Sequence, residues 1–394
     1  MVFDTREAAA RSNALSEAIA ARLIAHCSIN GANSSLWSGK AGAALYLSYL
    51  HSQAPQPALR QHARELASAA LDDIAAYPVS GLYQHVWTIW AARTVDVMFK
   101  ESENSAFCDD LDGLLLESLW EIDAWNGRYE LISGLLGIGA YALTAMRQSC
   151  GRQIAERVVQ LLLSRSSIDG NWQWWYTLPA DGTPSLLLRH PKGYCDLGLA
   201  HGNAGVMAFL SQTLQHGILA EESAAALTRL VPWMLAQRNT AAQMTSFPFL
   251  AEDAEQTSRC AWCYGDLGIA WALRMAGLAM ERHEWSALSQ EIARRLITLP
   301  PPMLGISDYA LCHGWAGTGH ILRCLADDFN DEDLRTSARH ALHTSLIWQE
   351  QQLQLRDEDS ASLGFLEGAP GIALALLSGF SGLPNHWHYP LLLA

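Results

Sequence analysis

Two cysteines and a histidine stand at matching places in consecutive glycine-containing motifs. Cys312 and His313 directly precede Gly314 in "ALCHGWAGTG", and Cys263 lies two residues before Gly265 in "CAWCYGDLG". Two thiolates and one imidazole are a common donor set for zinc, and three protein ligands leave a fourth tetrahedral position open. The spacing therefore predicts a zinc site made by Cys263, Cys312 and His313.

The charge of this donor set predicts its chemistry. Two thiolates offset the two positive charges of Zn²⁺, so the ion is a weaker Lewis acid than one held by three histidines and suits a thiol ligand. Metal binding lowers the pKa of a thiol and keeps its sulfur anionic near neutral pH. We therefore expect activation of a thiol for attack on an electron-poor alkene. The alternative is a closed structural site, in which Cys260 supplies the fourth ligand.

Attack on such an alkene produces an enolate that needs a proton. His201 and His313 each directly precede a motif glycine, and the titration range of His201 suits a general acid. Glu130 could orient or protonate, Arg259 could stabilise enolate charge, and Tyr264 could donate a hydrogen bond. Each of these four catalytic candidates also has an ordinary structural interpretation, as a helix-capping, surface or core side chain.

The motif G-x-x-G followed by an apolar run recurs along the chain. Recurrence of one motif every few tens of residues is typical of a repeat architecture. Its first glycines are Gly39, Gly134, Gly202, Gly265, Gly314 and Gly368, with a degenerate copy at Gly81.

A charged, amphipathic helix is predicted to alternate with each apolar helix, because alanine and leucine dominate both. We expect an all-α fold, an α/α toroid of about seven helical hairpins in a single domain over residues 1–394. The glycine turns would share one end of the ring. An open solenoid is the alternative, but its ends would need polar caps. Residues 166–194 are predicted to form an irregular insertion rich in Trp, Pro and Gly. The predicted charged helices are 58–76, 109–125, 151–165, 221–238, 284–299 and 331–350.

Composition narrows the class of protein. The 394 residues carry 26 basic and 40 acidic side chains, a net charge of -14, which disfavours nucleic-acid binding. No apolar stretch is long enough for a membrane helix, and the first residues resemble an amphipathic helix rather than a signal peptide. A cytoplasmic location is expected, where cysteines are thiols or metal ligands. Four cysteines on helical patterns are interpreted as core residues: Cys27, Cys108, Cys150 and Cys324.

Four segments together resemble the lanthionine synthetase C-like family, the cyclases of class I lanthipeptide biosynthesis. They are "GLAHGNAG" (198–205), "RCAWCYGDLG" (259–268), "CHGWAGTG" (312–319) and "YELISGLLGIGAYAL" (129–143). The resemblance implies an α/α toroid with a catalytic zinc ion held by Cys263, Cys312 and His313. It also implies proton transfer by His201, and places Glu130 where bacterial cyclases of the family typically have aspartate.

The reaction implied by the resemblance is addition of a peptide cysteine to dehydroalanine or dehydrobutyrine, which closes a lanthionine or methyllanthionine thioether ring. The implied partners are a dehydrated precursor peptide, the dehydratase that prepares it, and an export transporter in a modification complex. Such a complex would bring the protein to the inner face of the membrane.

Three other functions fit parts of the pattern. Glutathione could be the thiol that adds to dehydroamino acids. A non-catalytic, zinc-stabilised scaffold could bind peptides, and replacement of His201 would then leave its function intact. A sugar enzyme on the same ring could use Glu130 and Glu367, and it would need neither Cys263 nor Cys312.

Overall fold

The computed structural model describes residues 5–26, 32–146, 150–239, 245–355 and 364–393. These residues are mostly helical, as alanine- and leucine-rich segments favour. Short 3-10 helices lie at Ala251–Asp253, Pro301–Leu304 and Asn385–Leu391. The strands are β1 (Ser167–Asp169) and β2 (Trp172–Trp174). The α-helices are α1 (Thr5–His26), α2 (Lys40–Gln53), α3 (Pro57–Ala75), α4 (Val79–Leu82), α5 (Val86–Phe99), α6 (Ser105–Trp120), α7 (Leu135–Thr144), α8 (Gly151–Ser164), α9 (Pro184–Leu187), α10 (Asn203–Gln215), α11 (Ala220–Ala236), α12 (Asp266–Ala279), α13 (His283–Thr298), α14 (Trp315–Phe329), α15 (Glu332–Leu355) and α16 (Ala369–Phe380).

The chain forms two compact units. The first comprises Met1–Asp112, Ser307–Cys324 and Arg335–His388, and the second comprises Gly113–Ile306, Leu325–Leu334 and Tyr389–Ala394. In the first unit α2 packs against α3, α5 and α16, and α1 packs against α16. In the second unit α7 packs against α8, α10 against α11, and α12 against α13, while α10 also contacts α7 and α12. The prediction of a single domain over residues 1–394 stays a prediction.

Apolar and amphipathic helices alternate as the sequence predicts. Every residue of α2 from Lys40 to Leu50 is buried, and α7 is buried from Leu135 to Leu143. In contrast, α8 buries one stripe, with Ile154, Val158 and Leu162 facing inward. A stripe at this spacing is the signature of a helix with one solvent-facing side. The predicted charged helices agree with α3, α8, α11 and α13 within about two residues at each end. In contrast, α6 begins and ends four to five residues earlier than expected, and α15 ends five residues later than expected.

A backbone hydrogen bond closes the loop before each of four apolar helices. In each case the first helical N–H donates to the carbonyl oxygen seven residues earlier, which satisfies one of the unpaired groups at a helix start. The pairs are Lys40 to Asn33 (2.8 Å), Leu135 to Arg128 (3.0 Å), Asn203 to Asp196 (2.9 Å) and Trp315 to Asp308 (3.1 Å). The degenerate copy differs: Gly81 lies within α4, and α5 begins only at Val86.

Glycine is required in these loops because the backbone folds back on itself. A Cβ atom on Gly39 would lie 2.0 Å from the carbonyl oxygen of Asn33. At Gly265 φ is +102° and a Cβ atom would lie 1.6 Å from the carbonyl oxygen of Arg259. Side chains other than hydrogen are therefore excluded at both positions.

Neighbouring loops are joined edge to edge within each unit. In the second unit the N–H of Leu131 donates to Ala200 (2.9 Å), whose own N–H donates to Cys263 (3.2 Å). In the first unit Leu311 donates to Leu366 (3.0 Å), and Leu366 donates to Trp37 (3.3 Å). The side chains that flank the motif glycines are thereby held beside one another within a unit.

The predicted insertion at 166–194 has structure of its own. Strands β1 and β2 form an antiparallel hairpin, with Gly170 at φ +56° in its turn. Trp175 is fully buried and donates from Nε1 to the carbonyl oxygen of Leu162 (2.7 Å). Its N–H also donates to Oδ1 of Asn203 (2.8 Å), so the insertion is anchored to both α8 and α10.

Along the described ranges, no helix combines the length and the apolarity needed to cross a bilayer. Of the cysteines predicted to be core residues, Cys108 and Cys324 are buried and Cys150 is partly exposed. Cys27 lies outside the described residues.

Candidate functional site

A small cavity of about 100 Å³ in the second unit contains three of the four predicted catalytic residues, Glu130, His201 and Tyr264. They come from three loops that precede α7, α10 and α12. The insertion supplies another wall of the cavity. The remaining lining residues are Arg128, Tyr129, Thr177, Asp181, Thr183, Tyr194 and Asp196.

Glu130 and His201 form an ion pair in this cavity. Nδ1 of His201 lies 3.1 Å from Oε2 of Glu130. The Glu130 carboxylate also accepts hydrogen bonds from the N–H groups of Ile132 (2.9 Å) and Ser133 (2.8 Å), and from the Ser133 hydroxyl (2.8 Å). The carboxylate is therefore fixed by its own loop, and it holds the imidazole in one orientation.

The pairing changes the pKa of both groups. Burial opposes ionisation of Glu130, but the hydrogen bond and charge of His201, with the N–H of Ile132, outweigh it and lower its pKa. Burial likewise opposes protonation of His201, but the hydrogen bond and charge of Glu130 outweigh it and raise its pKa. The pair therefore favours imidazolium next to carboxylate, with Nε2–H as the donor directed away from Glu130.

Tyr264 forms a hydrogen bond with Asp196, a residue that was not predicted from the sequence to be part of the site. Its hydroxyl donates to Oδ2 of Asp196 (2.8 Å), and its ring lies 5.4 Å from the His201 ring, between centroids. Burial, together with Asp196, raises the pKa of Tyr264. The hydroxyl proton predicted to reach a substrate is thus directed at Asp196.

Asp196 is almost fully buried at 1 % exposure. Burial raises its pKa to about 6, although His201, the N–H of Gly198 and Tyr264 act in the opposite direction. The N–H of Gly198 donates to Oδ1 at 2.8 Å. A carboxyl group with such a pKa changes its charge close to neutral pH, which makes it a functional candidate.

The position of Asp196 relative to the motif glycine is shared with other copies of the repeat. Asp196, Asp308 and Asn33 each lie six residues before the first motif glycine of their copy. Each side-chain oxygen accepts the N–H two residues later, at 2.8, 2.8 and 3.0 Å. This is the turn that aspartate and asparagine favour. Alignment six residues before the glycine would have selected them.

Arg259 lies over two rings near the cavity. Its guanidinium carbon is 5.6 Å from the centroid of Phe249 and 6.0 Å from that of Tyr264. Among the described residues, its buried Nε has no hydrogen-bond partner. Because this N–H is buried, a ligand contact of Arg259 would have to use the other nitrogens of the guanidinium.

The predicted metal ligands lie in glycine loops of both units. In the second unit Cys263 is 3 % exposed, and in the first unit Cys312 is 9 % exposed. Nε2 of His313 lies 2.8 Å from Oδ2 of Asp308. Metal-binding histidines commonly place one ring nitrogen against a carboxylate, which orients the other toward the ion. The sulfur and imidazole donors of Cys263, Cys312 and His313 are compatible with a metal ion.

Comparison with known proteins identifies the family. Residues 31–392 match the family described as Lanthionine synthetase C-like protein. The chain belongs to this family. It is 25 % identical over 311 residues to the nisin biosynthesis protein NisC of Lactococcus lactis subsp. lactis, a match that covers 72 % of this chain and 68 % of that protein.

A solved structure named nisin cyclase superposes on this chain with a TM-score of 0.76 and 21 % sequence identity, covering 92 % of each chain. The predicted family and the predicted fold class, an all-α α/α toroid, are confirmed. The roles of individual site residues remain predictions.

Proposed function

We propose that this protein is a zinc-dependent lanthipeptide cyclase. It adds peptide cysteine thiols to dehydroalanine or dehydrobutyrine and forms lanthionine or methyllanthionine rings. The observation that carries the proposal is the Glu130–His201 ion pair, 3.1 Å long, beside a cavity in a chain of this family. The similarity to a protein named nisin cyclase supports it.

Cys263, Cys312 and His313 are proposed to hold the zinc ion. The donor chemistry fits, because two thiolates and one imidazole are compatible with a metal ion. The contact between Asp308 and His313 adds support, since it is the outer carboxylate that such histidines use. When bound, zinc would lower the pKa of a substrate thiol and favour its thiolate near neutral pH.

His201 is proposed to deliver the proton that completes the addition. A carbon–sulfur bond forms at the β-carbon, the π-electron pair moves onto the carbonyl group, and the α-carbon takes a proton from Nε2–H of His201. The thiol proton lost earlier balances this gain, so substrate and product are isomers. Glu130 acts as a positioning residue, because its contact with Nδ1 fixes the ring and raises the pKa of His201.

Arg259 and Tyr264 are proposed to stabilise and shape the enolate site. The guanidinium of Arg259, whose central carbon lies 6.0 Å from the centroid of the Tyr264 ring, can stabilise the negative charge of the enolate oxygen. Tyr264, held by Asp196, packs beside His201 and limits where the acceptor alkene can lie. The partners proposed with this activity are a dehydrated precursor peptide, its dehydratase and a transporter-containing complex at the inner face of the membrane.

The test is incubation of the zinc-loaded protein with a dehydrated peptide that retains its cysteines. Ring closure leaves the mass unchanged, so unreacted thiols are counted by alkylation and mass spectrometry. The wild-type protein is expected to remove alkylatable thiols. His201→Asn is expected to slow their loss by about 100-fold or more, the usual contribution of a general acid. His216→Asn, at an exposed position directly after α10, is the matched control and should react at the wild-type rate.

Each other outcome has a definite meaning. Complete alkylation of every cysteine after incubation with the wild-type protein would refute the cyclase. A gain of one glutathione per dehydroamino acid, in a reaction supplied with glutathione, would favour intermolecular addition. Equal rates for the wild-type protein and His201→Asn would remove His201 from the mechanism while leaving the activity itself in place.

A further inference from the structure

A second cluster of metal-binding side chains lies inside the first unit. His320 and Cys324 stand four residues apart on α14, and His388 comes from the 3-10 helix Asn385–Leu391. Their exposures are 0, 8 and 6 %, so the cluster is buried. One ligand atom of each lies within 4.8 Å of the other two. None of the three belongs to the predicted zinc set.

The distances suit a single small ion. Nε2 of His320 is 2.9 Å from Nδ1 of His388, and Sγ of Cys324 is 4.0 Å from Nε2 of His320. Bonds of about 2.0 Å to nitrogen and 2.3 Å to sulfur would separate such donors by about 3.3–3.8 Å. Changes of about half an ångström would bring these two distances into that range, and the third pair of donor atoms lies within 4.8 Å. The proton now shared by the two imidazoles would be displaced.

The surrounding residues hold these donors in place. The Trp387 ring lies 4.5 Å from the His320 ring, between centroids, and Trp387 itself is fully buried. Arg323, next to Cys324, donates to Oδ1 of Asn385 at 2.7 Å. This contact joins α14 to the segment that carries His388. The donor set is therefore built on two elements that are already fastened to each other.

Charge decides which ion the cluster would accept. The Arg323 guanidinium lies 4.0 Å from Sγ of Cys324 and 3.5 Å from Nδ1 of His320. A monovalent ion that replaces the thiol proton leaves the buried charge unchanged. A divalent ion would add one positive charge beside this guanidinium, at a large cost in a buried setting. Two thiolates, as in the predicted zinc set, would neutralise both charges of a divalent ion and remove that cost. This cluster has one thiolate, so the cost would remain.

The ligand types also favour a monovalent ion. Thiolate and imidazole donors suit copper(I), and thiolates in particular select soft ions. We propose that His320, Cys324 and His388 form a copper(I)-binding site, distinct from the proposed zinc site. Binding forms one copper–sulfur and two copper–nitrogen bonds and releases the Cys324 thiol proton to solvent. The proton between the two imidazoles moves to the other nitrogen of its own ring, so both rings stay neutral. No change of oxidation state is involved.

The test is a copper(I) titration of the zinc-loaded, full-length protein without oxygen, against a chromogenic copper(I) chelator. The wild-type protein is expected to retain one equivalent of copper(I) with its zinc still bound. Cys324→Ser should weaken copper(I) binding by at least tenfold. Cys108→Ser removes another fully buried thiol of the same unit and should bind copper(I) like the wild type. X-ray absorption at the copper edge should report one sulfur and two nitrogen neighbours.

Three results would overturn the proposal. The first is failure of the wild-type protein to compete with the chelator. The second is equal binding by Cys324→Ser and the wild-type protein. The third is release of one zinc per copper bound, which would place copper(I) in the zinc set. Because Cys324→Ser could impair folding, His388→Gln provides a second removal of one donor, and circular dichroism compares both variants with the wild type. If Cys263→Ser still binds one equivalent of copper(I), the copper(I) site is distinct from the proposed zinc site. This result does not depend on catalytic activity.

Discussion

Replacement of Asp196 by asparagine gives a quantitative test of the site's electrostatics. Burial raises the pKa of Asp196 to about 6, from an ordinary value of 3.8. A carboxyl group whose pKa is raised in the folded state makes its full contribution to the stability of the folded protein below pH 3.8, its value in the unfolded chain. That contribution is lost as the pH rises through about 6, because the folded protein must then hold a buried charge. Asparagine has no such charge at any pH.

The linkage relation converts these two pKa values into free energies of unfolding. Relative to strongly acidic solution, ionisation of Asp196 costs about 1–2 kcal/mol at pH 5.0 and about 3 kcal/mol at pH 7.5. The difference in stability between Asp196→Asn and the wild-type protein should therefore shift by about 1 kcal/mol in favour of the variant over this interval. Any effect of the lost hydrogen-bond geometry that is independent of pH cancels in this comparison.

The assay is urea unfolding followed by tryptophan fluorescence, at both pH values and at the same zinc and salt concentrations. Asp110→Asn, at an exposed position on α6, controls for the loss of one carboxylate. It should show no comparable shift. The reasoning is refuted if the gap between Asp196→Asn and the wild-type protein stays constant within about 0.5 kcal/mol, or widens against the variant, between pH 5.0 and 7.5.

Three further predictions address the ion pair, the glycine loops and the core. Glu130→Gln removes the charge that raises the pKa of His201, so the NMR titration of that imidazole should move to lower pH; an unchanged midpoint would contradict the pairing. Gly265→Ala should lower the free energy of unfolding by about 3 kcal/mol or more, because φ is +102° and a Cβ would overlap a carbonyl oxygen, whereas Gly113→Ala, with open space around it, should be neutral or stabilising. Trp262→Phe loses the hydrogen bond from Nε1 to a buried carbonyl oxygen (2.9 Å) and should cost about 1–3 kcal/mol in urea unfolding; a smaller loss would show that the carbonyl finds another partner.

The sequence was informative about the fold because its signals are local. The glycine motifs and the charged stripes together placed most helices within a few residues, since helix starts and solvent-facing sides depend on neighbouring residues. The segment 166–194 was harder. Its hairpin depends on Gly170, and its attachment to α8 depends on Trp175, a contact with a distant part of the chain.

In the candidate site, too, local signals could be predicted from the sequence, whereas contacts between distant residues could not. His201, Glu130 and Tyr264 could be selected because they lie within four residues of motif glycines, and the structure brings them into one cavity. The partner of Tyr264 could not be assigned from its spacing, because Asp196 reaches it across two loops. The direction of the Tyr264 hydroxyl, and hence its role, depends on that contact. Nor did the sequence reveal that His388 meets α14, since the two segments are 68 residues apart.

The loop closures described above have a consequence for protein engineering. In four loops a main-chain hydrogen bond and glycine provide the closure, and the residue just before the glycine adds only a side-chain contact, such as that of the Ser38 hydroxyl with Nδ2 of Asn33 (3.2 Å). That position carries serine in two copies, Ser38 and Ser133, and elsewhere histidine, tyrosine or glutamate. Exchange of Ser38 for a new acid, base or nucleophile would lose this one exposed hydrogen bond, while the main-chain closure from Lys40 to Asn33 would remain, so this position suits the design of added reactivity.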